Sequence, residues 1–138
     1  MKKVFLTLLA AGSLYAQDAR IEVAYPKDFK AETLANMRGH LSALNQIMVA
    51  LSEGKIEDAG KIASKQLGTA SMGKQDMAKS MKYMPKTMAK MGYMLHKSAS
   101  DFAQLASLSD KEDMPDLLKA YAGITAKCVA CHSSYRLK

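Results

Sequence analysis

Two cysteines and a histidine near the end of the chain, Cys128-Val129-Ala130-Cys131-His132, carry the clearest chemistry in the sequence. The C-x-x-C-H spacing is that of covalent haem attachment. On a helix, residues i and i+3 lie about one turn apart on one side. Two thiols so placed can each meet a vinyl group at the edge of a haem and form thioethers. His132, directly after the second cysteine, then points an imidazole nitrogen at the iron as an axial ligand. One covalent haem c per chain, held by Cys128 and Cys131, is the cofactor this pattern predicts.

Other uses of the same residues fit less well. A structural zinc site needs four ligands. Outside the motif only His40 and His96 would add a nitrogen, and methionine is a poor zinc ligand. A thioredoxin-like dithiol belongs in a βαβ setting, and no alternating strand pattern stands out here. A disulfide between residues three apart closes a tiny loop and constrains little. Haem is large and apolar, so the elements that carry the motif must also supply an interior for it.

Those elements read as helices. Ala, Leu, Met, Lys and Gln are plentiful, all good helix formers. The first helix is predicted over about Ala31 to Leu51, where Leu34, Met37, Leu41, Leu44, Met48 and Leu51 step by three and four as a heptad seam. Gly54 is its expected left-handed stop. A second, shorter helix covers about Ile56 to Leu67 and ends at Gly68. The third region, about Met72 to Leu108, is broken by Pro85 into a short helix reaching Tyr83 and a longer one, since proline removes a helical hydrogen bond. The fourth follows Ser109-Asp110 as caps, with Pro115 in its first turn. Its seam runs through Met114, Leu117, Tyr121, Ile124, Cys128, Cys131 and Tyr135, so both cysteines face inward. The fold class expected is all-α, an antiparallel four-helix bundle with haem on the C-terminal helix. Residues 17–30 contain Pro26 and no helical stripe, and read as an extended lead-in.

Residues 1–16, MKKVFLTLLAAGSLYA, have the charged start, apolar stretch and small-residue end of a secretory signal. The apolar stretch is too short for a resident membrane span. One domain, residues 17–138, is expected after cleavage, in the periplasm and without stable membrane insertion. Loss of Lys2 and Lys3 takes the formal charge from +7 to +5. That modest excess is spread along the chain, without the dense basic stripe and interleaved aromatics of a nucleic-acid surface. A basic face can steer an acidic redox partner protein.

At this point the chain resembles a family, the class II c-type cytochromes of the cytochrome c prime superfamily. Its members are exported four-helix bundles with C-x-x-C-H on the last helix, close to the C-terminus. The run CVACHSSYRLK looks like their terminal signature, with Tyr135 and with Arg136 four residues after the histidine. The resemblance spans residues 17–138 in helix order, is strongest in the last helix, and implies that a homodimer through helix faces is among the partners to consider.

The resemblance also implies that the position across the iron comes from the first helix. Low-spin members place a methionine there, and Met37 is the candidate sixth iron ligand; core packing is the competing use of a flexible thioether. The low-spin pattern often has a basic residue four before the methionine, where this chain has Thr33; Arg38 follows Met37 instead. High-spin members place an apolar residue, and Leu41 is the candidate distal wall. His40 falls beside the seam, as an exposed side chain. Arg38 is a candidate partner for a haem propionate, since a guanidinium fork suits a carboxylate, or else a solvated charge.

Met72, Met77, Met81, Met84, Met88, Met91 and Met94 crowd one region, with His96 close behind. Thioethers select Cu(I), but methionines at helical spacing more often pack a core. Tyr83, Tyr93 and Tyr121 read as pocket walls or edge aromatics. No paired carboxylate, nucleophile–base pair or phosphate loop is visible, so no enzyme is expected. The expected function is a periplasmic electron carrier working by outer-sphere iron cycling. A five-coordinate haem protein binding NO or CO, and a methionine-rich copper-handling protein, are its rivals.

Overall fold

Pro26 decides where the first helix begins. The computed structural model of the chain describes residues 18–73, 78 and 81–138; the signal-like segment and Met77 lie outside them. Pro26 is extended, with φ −55° and ψ 146°, and its carbonyl accepts the amide of Lys30 at 2.8 Å. Helix α1 therefore starts at Lys27 and runs to Ser52, four residues earlier than the apolar seam indicates. It stops at Gly54, whose φ of +70° is the left-handed conformation that glycine adopts without a Cβ penalty.

Helix α2, Ile56–Ile62, passes into a π-helical turn at Ala63–Leu67, and a 3-10 turn follows at Thr69–Ser71. Residues 81–83 are helical. Pro85 then caps α3, Lys86–Ala106, in the same extended conformation that Pro26 adopts before α1. Helix α4, Met114–Ser134, begins after Asp113 rather than at Ser109-Asp110. Those two residues instead close the preceding turn. The Ser109 hydroxyl donates to the Leu105 carbonyl at 2.9 Å, and the Asp110 carboxylate accepts the Glu112 amide at 2.8 Å.

The chain is mainly helical, with four main helices packed together. Helix α2 and its π-turn sit against both α1 and α3, and α3 packs along α4. The shared core holds Ala43, Ile47 and Leu51 of α1, Ile56 and Ala59 of α2, Leu67, then Leu95, Ala99, Phe102 and Ala106 of α3, and Leu117 and Ile124 of α4. Phe102 is almost fully buried, which stabilises the fold by roughly 1.5–3 kcal/mol. The α2–α3 contact is close because Gly60 lacks a side chain: a Cβ there would come within 3.0 Å of the Ala106 methyl.

Two short strands, absent from the sequence-based reading, tie the ends of the described chain together. Strand β1, Ile21–Val23, pairs in parallel with β2, Tyr135–Leu137, in the register Ile21 to Tyr135 and Val23 to Leu137. Val23 and Tyr135 are buried. Tyr135 thus continues the inward seam of α4 from a strand rather than from the helix. Outside the ladder, Arg136 and Lys138 reach Glu22 at 2.7 and 3.5 Å. Pairing of β1 with β2 puts the start of α1 near the finish of α4, and a hydrogen bond from Tyr121 to the Leu44 carbonyl joins the two helices farther along, so they run in opposite directions. Among the described residues no helix is long and apolar enough to cross a membrane.

Candidate functional site

The seam predicted on α1 is divided by the fold. Leu44 and Leu51 are buried, whereas Leu34, Met37, Leu41 and Met48 are exposed, Leu41 by 68%. Burial has moved by one residue, to Ala43, Ile47 and Ala50, which face α2 and the core. An apolar stripe is left on the other side of α1. That stripe borders a cleft of about 650 Å³ between α1 and α4, lined by Arg38, Leu41, Ser42, Leu44, Asn45, Met48, Tyr121 and Thr125. The cleft is wide open to solvent and its walls are mostly apolar.

Helix α4 continues the wall. Tyr121, Thr125, Cys128 and His132 follow one another at spacings of four, three and four, which places them on one helix face. Cys128 is half-buried and packs against the core. Its thiol lies near the Ile124 carbonyl at 3.8 Å. Cys131 is half-buried as well, His132 is exposed, and neither cysteine is in a disulfide. The cysteines are therefore one turn apart at the edge of α4, next to the cleft, as C-x-x-C spacing on a helix requires.

Electrostatics at the thiols follow from this partial burial. Burial pushes both cysteines above the usual thiol value of 9.0, so at neutral pH they are thiols rather than thiolates. Two tyrosines stand beside them. Tyr25 is pushed up to about 12, by burial and then by Cys131. Tyr121 is pushed up by burial and then by Cys128. Tyr25 also packs at a tilt against Phe29, 4.7 Å between ring centroids, and Phe29 meets Tyr83 at 5.3 Å. The Tyr25 hydroxyl donates to the Met88 sulfur at 3.9 Å. These contacts build an aromatic and thioether end-wall near Cys131.

The end of α4 is held from outside. Arg20 donates from its guanidinium to the His132 carbonyl at 3.3 Å, and Asp18 pairs with Arg20 at 2.7 Å. A cation suits the negative end of a helix dipole. The Tyr135 hydroxyl hydrogen-bonds Thr87 of α3.

Of the residues singled out by sequence, Cys128, Cys131 and His132 share one end of α4, and Arg38 and Leu41 line the cleft. Met37 lies on the exposed stripe beside that lining. Met84, Met88 and Met91 are half-buried, whereas Met81 and Met94 are exposed. The run is thus split between packing and surface. His40 is half-buried rather than exposed, because its ring meets His96 edge-on. Sequence reasoning missed Arg20, whose role depends on strand pairing. It also missed Thr125, although its spacing from Tyr121 and Cys128 marks the shared face. Among the described residues no group of three or more His, Cys, Asp or Glu is placed to hold a metal ion.

Comparison with known proteins finds no matching family model, no matching curated protein and no matching solved structure. The chain is a small, mostly helical protein with a C-x-x-C pair on its last helix.

Proposed function

We propose that the chain is an exported c-type haem protein of the cytochrome c prime type, an antiparallel four-helix bundle that carries electrons in the periplasm. One observation carries the reading: the half-buried cysteine pair of α4 prolongs the helix face that walls an apolar cleft against α1. An apolar stripe and a cleft of this size, next to two thiols one turn apart, fit a covalently attached porphyrin.

In this reading Cys128 and Cys131 would hold the haem by thioether bonds and His132 would supply a nitrogen to its iron. Haem iron supplies one-electron redox chemistry when bound. The chain's own residues do the rest. Leu34, Leu41 and Met48 would exclude water from the bound group. Arg38, at the cleft, offers a fork to a propionate. Arg20 holds the backbone of His132. Met37 would be the candidate second protein ligand to the iron, and a Met/His pair raises the potential. A partner of opposite charge would dock on the basic surface.

A second reading, five-coordinate gas binding, is favoured by the presence of Leu41 rather than Met37 among the residues lining the cleft. The test for haem is direct. The mature chain, produced with a haem-attachment pathway, should be coloured and heavier than its amino acids by one haem. A colourless product of peptide mass, with both thiols free to alkylate, rejects the proposal. The ferric spectrum then separates the readings: low-spin for electron transfer, high-spin and responsive to CO or NO for gas binding.

A further inference from the structure

The two histidines outside the motif come together in space. His40 of α1 and His96 of α3 are 56 residues apart in sequence, yet their ring centroids lie 5.4 Å apart with planes at 83°. They meet where the π-turn Ala63–Leu67 packs against both helices. We propose that His40 and His96 together hold one first-row transition-metal ion, copper in preference to zinc, at this junction.

Three features carry this. First, the Leu67 carbonyl is 2.8 Å from Nδ1 of His96. A carbonyl can only accept, so Nδ1 carries the proton and Nε2 keeps its lone pair. Metal-binding histidines are oriented in this way, with the second ring nitrogen donating to a carbonyl or carboxylate. Second, Nδ1 of His40 is buried and has no hydrogen-bond partner. An unmade bond at a buried polar atom is costly, and a metal ion would satisfy it. Third, the junction is open to solvent: His40 and His96 are both half-buried, so an ion can enter and take its remaining ligands from water.

The protonation states agree. Burial lowers both imidazoles below the usual 6.5, and each is therefore neutral, the ligating form, at pH 7. Imidazole suits copper and zinc, and affinity rises to Cu(II) before falling at Zn(II). Two imidazoles leave further positions to solvent, so an accessible site of moderate affinity is expected rather than a closed structural one. The proposal does not rest on haem, because neither histidine belongs to the motif.

The experiment is calorimetric titration of the mature, haem-loaded chain with Cu(II) and separately with Zn(II), alongside electron paramagnetic resonance of the Cu(II) form. One ion should bind per chain, copper more tightly, with hyperfine structure from two imidazole nitrogens. His40→Ala and His96→Ala should each weaken binding by about 100-fold or more, beyond the 10–100-fold that loss of a supporting partner causes. His132→Ala should leave binding unchanged. His40→Gln and His96→Gln, closer in size, repeat the measurement should an alanine variant unfold. No saturable binding, fewer than two nitrogens in the spectrum, or binding that survives loss of both rings would overturn the proposal. Binding lost with His132 alone would place the metal at the motif instead.

Discussion

The Tyr121 hydroxyl donates to the Leu44 carbonyl at 3.2 Å and joins α4 to α1 across the cleft. Because the two helices run in opposite directions, going forward along α4 from this bond leads to Cys128 and Cys131, and going back along α1 leads to Leu41, Met37 and Leu34. The exposed apolar residues of α1 therefore lie on the same side of this bond as the two thiols.

Tyr121→Phe removes this bond and keeps the ring. A loss of roughly 0.5–1.5 kcal/mol is expected, read as a lower urea midpoint with unchanged slope. A stability equal to that of the parent chain would show that the two helices are positioned by packing alone.

Met37→Ala tests the sixth ligand. If haem is bound as proposed, a low-spin ferric spectrum should become high-spin, with little change in helicity. An unaltered spectrum takes Met37 out of the site.

Gly68→Ala probes the end of the π-turn. A Cβ at this position would fall 2.6 Å from the Ser64 carbonyl and 3.0 Å from the Ser100 hydroxyl. The backbone must shift, and about 1–3 kcal/mol of stability should be lost. Thermal unfolding measures it, and a melting temperature equal to the parent's would contradict the close approach.

Asp18 gives a pH prediction. Hydrogen bonds from Arg20 hold its carboxyl down from 3.8 to about 2. A depressed folded value means stability that is present above the unfolded value near 3.8 and is lost as pH falls through about 2. Carbon-13 NMR of the Asp18 carboxyl should give a midpoint near 2, and Arg20→Gln should return it towards 3.8. Asp18 is fully exposed, so its effect on overall unfolding should be small.

Much of the fold was legible in the sequence because helix seams and breakers act locally. Pro85, Pro115, Gly54 and Gly68 each stand where the chain changes element. The inward seam of α4 survives down to the cysteines. The seam of α1 was read too simply. A three-four spacing defines a face without saying what covers it, and Ala43, Ile47 and Ala50 on the neighbouring face took the core contacts. The β1–β2 pair was invisible for another reason. Ile21-Glu22-Val23 and Tyr135-Arg136-Leu137 are too short to show a period, and each becomes a strand only by meeting the other. The His40–His96 contact likewise depends on how α1 and α3 pack, which no single-helix pattern reveals.

The ladder between β1 and β2 also sets an order of events. During synthesis residues 21–23 emerge long before residues 135–137, so the early segment has to wait, unpaired, for almost the whole domain to follow it. Closure of such a distant pairing comes late, because its loop entropy is paid before its contacts form. The end of α4, with both thiols, would stay open in the interval, and Arg20 and Glu22 would clasp it and the strand that follows only afterwards. A tag fused just ahead of Asp18 or just behind Lys138 would therefore burden the last step of folding rather than an idle tail.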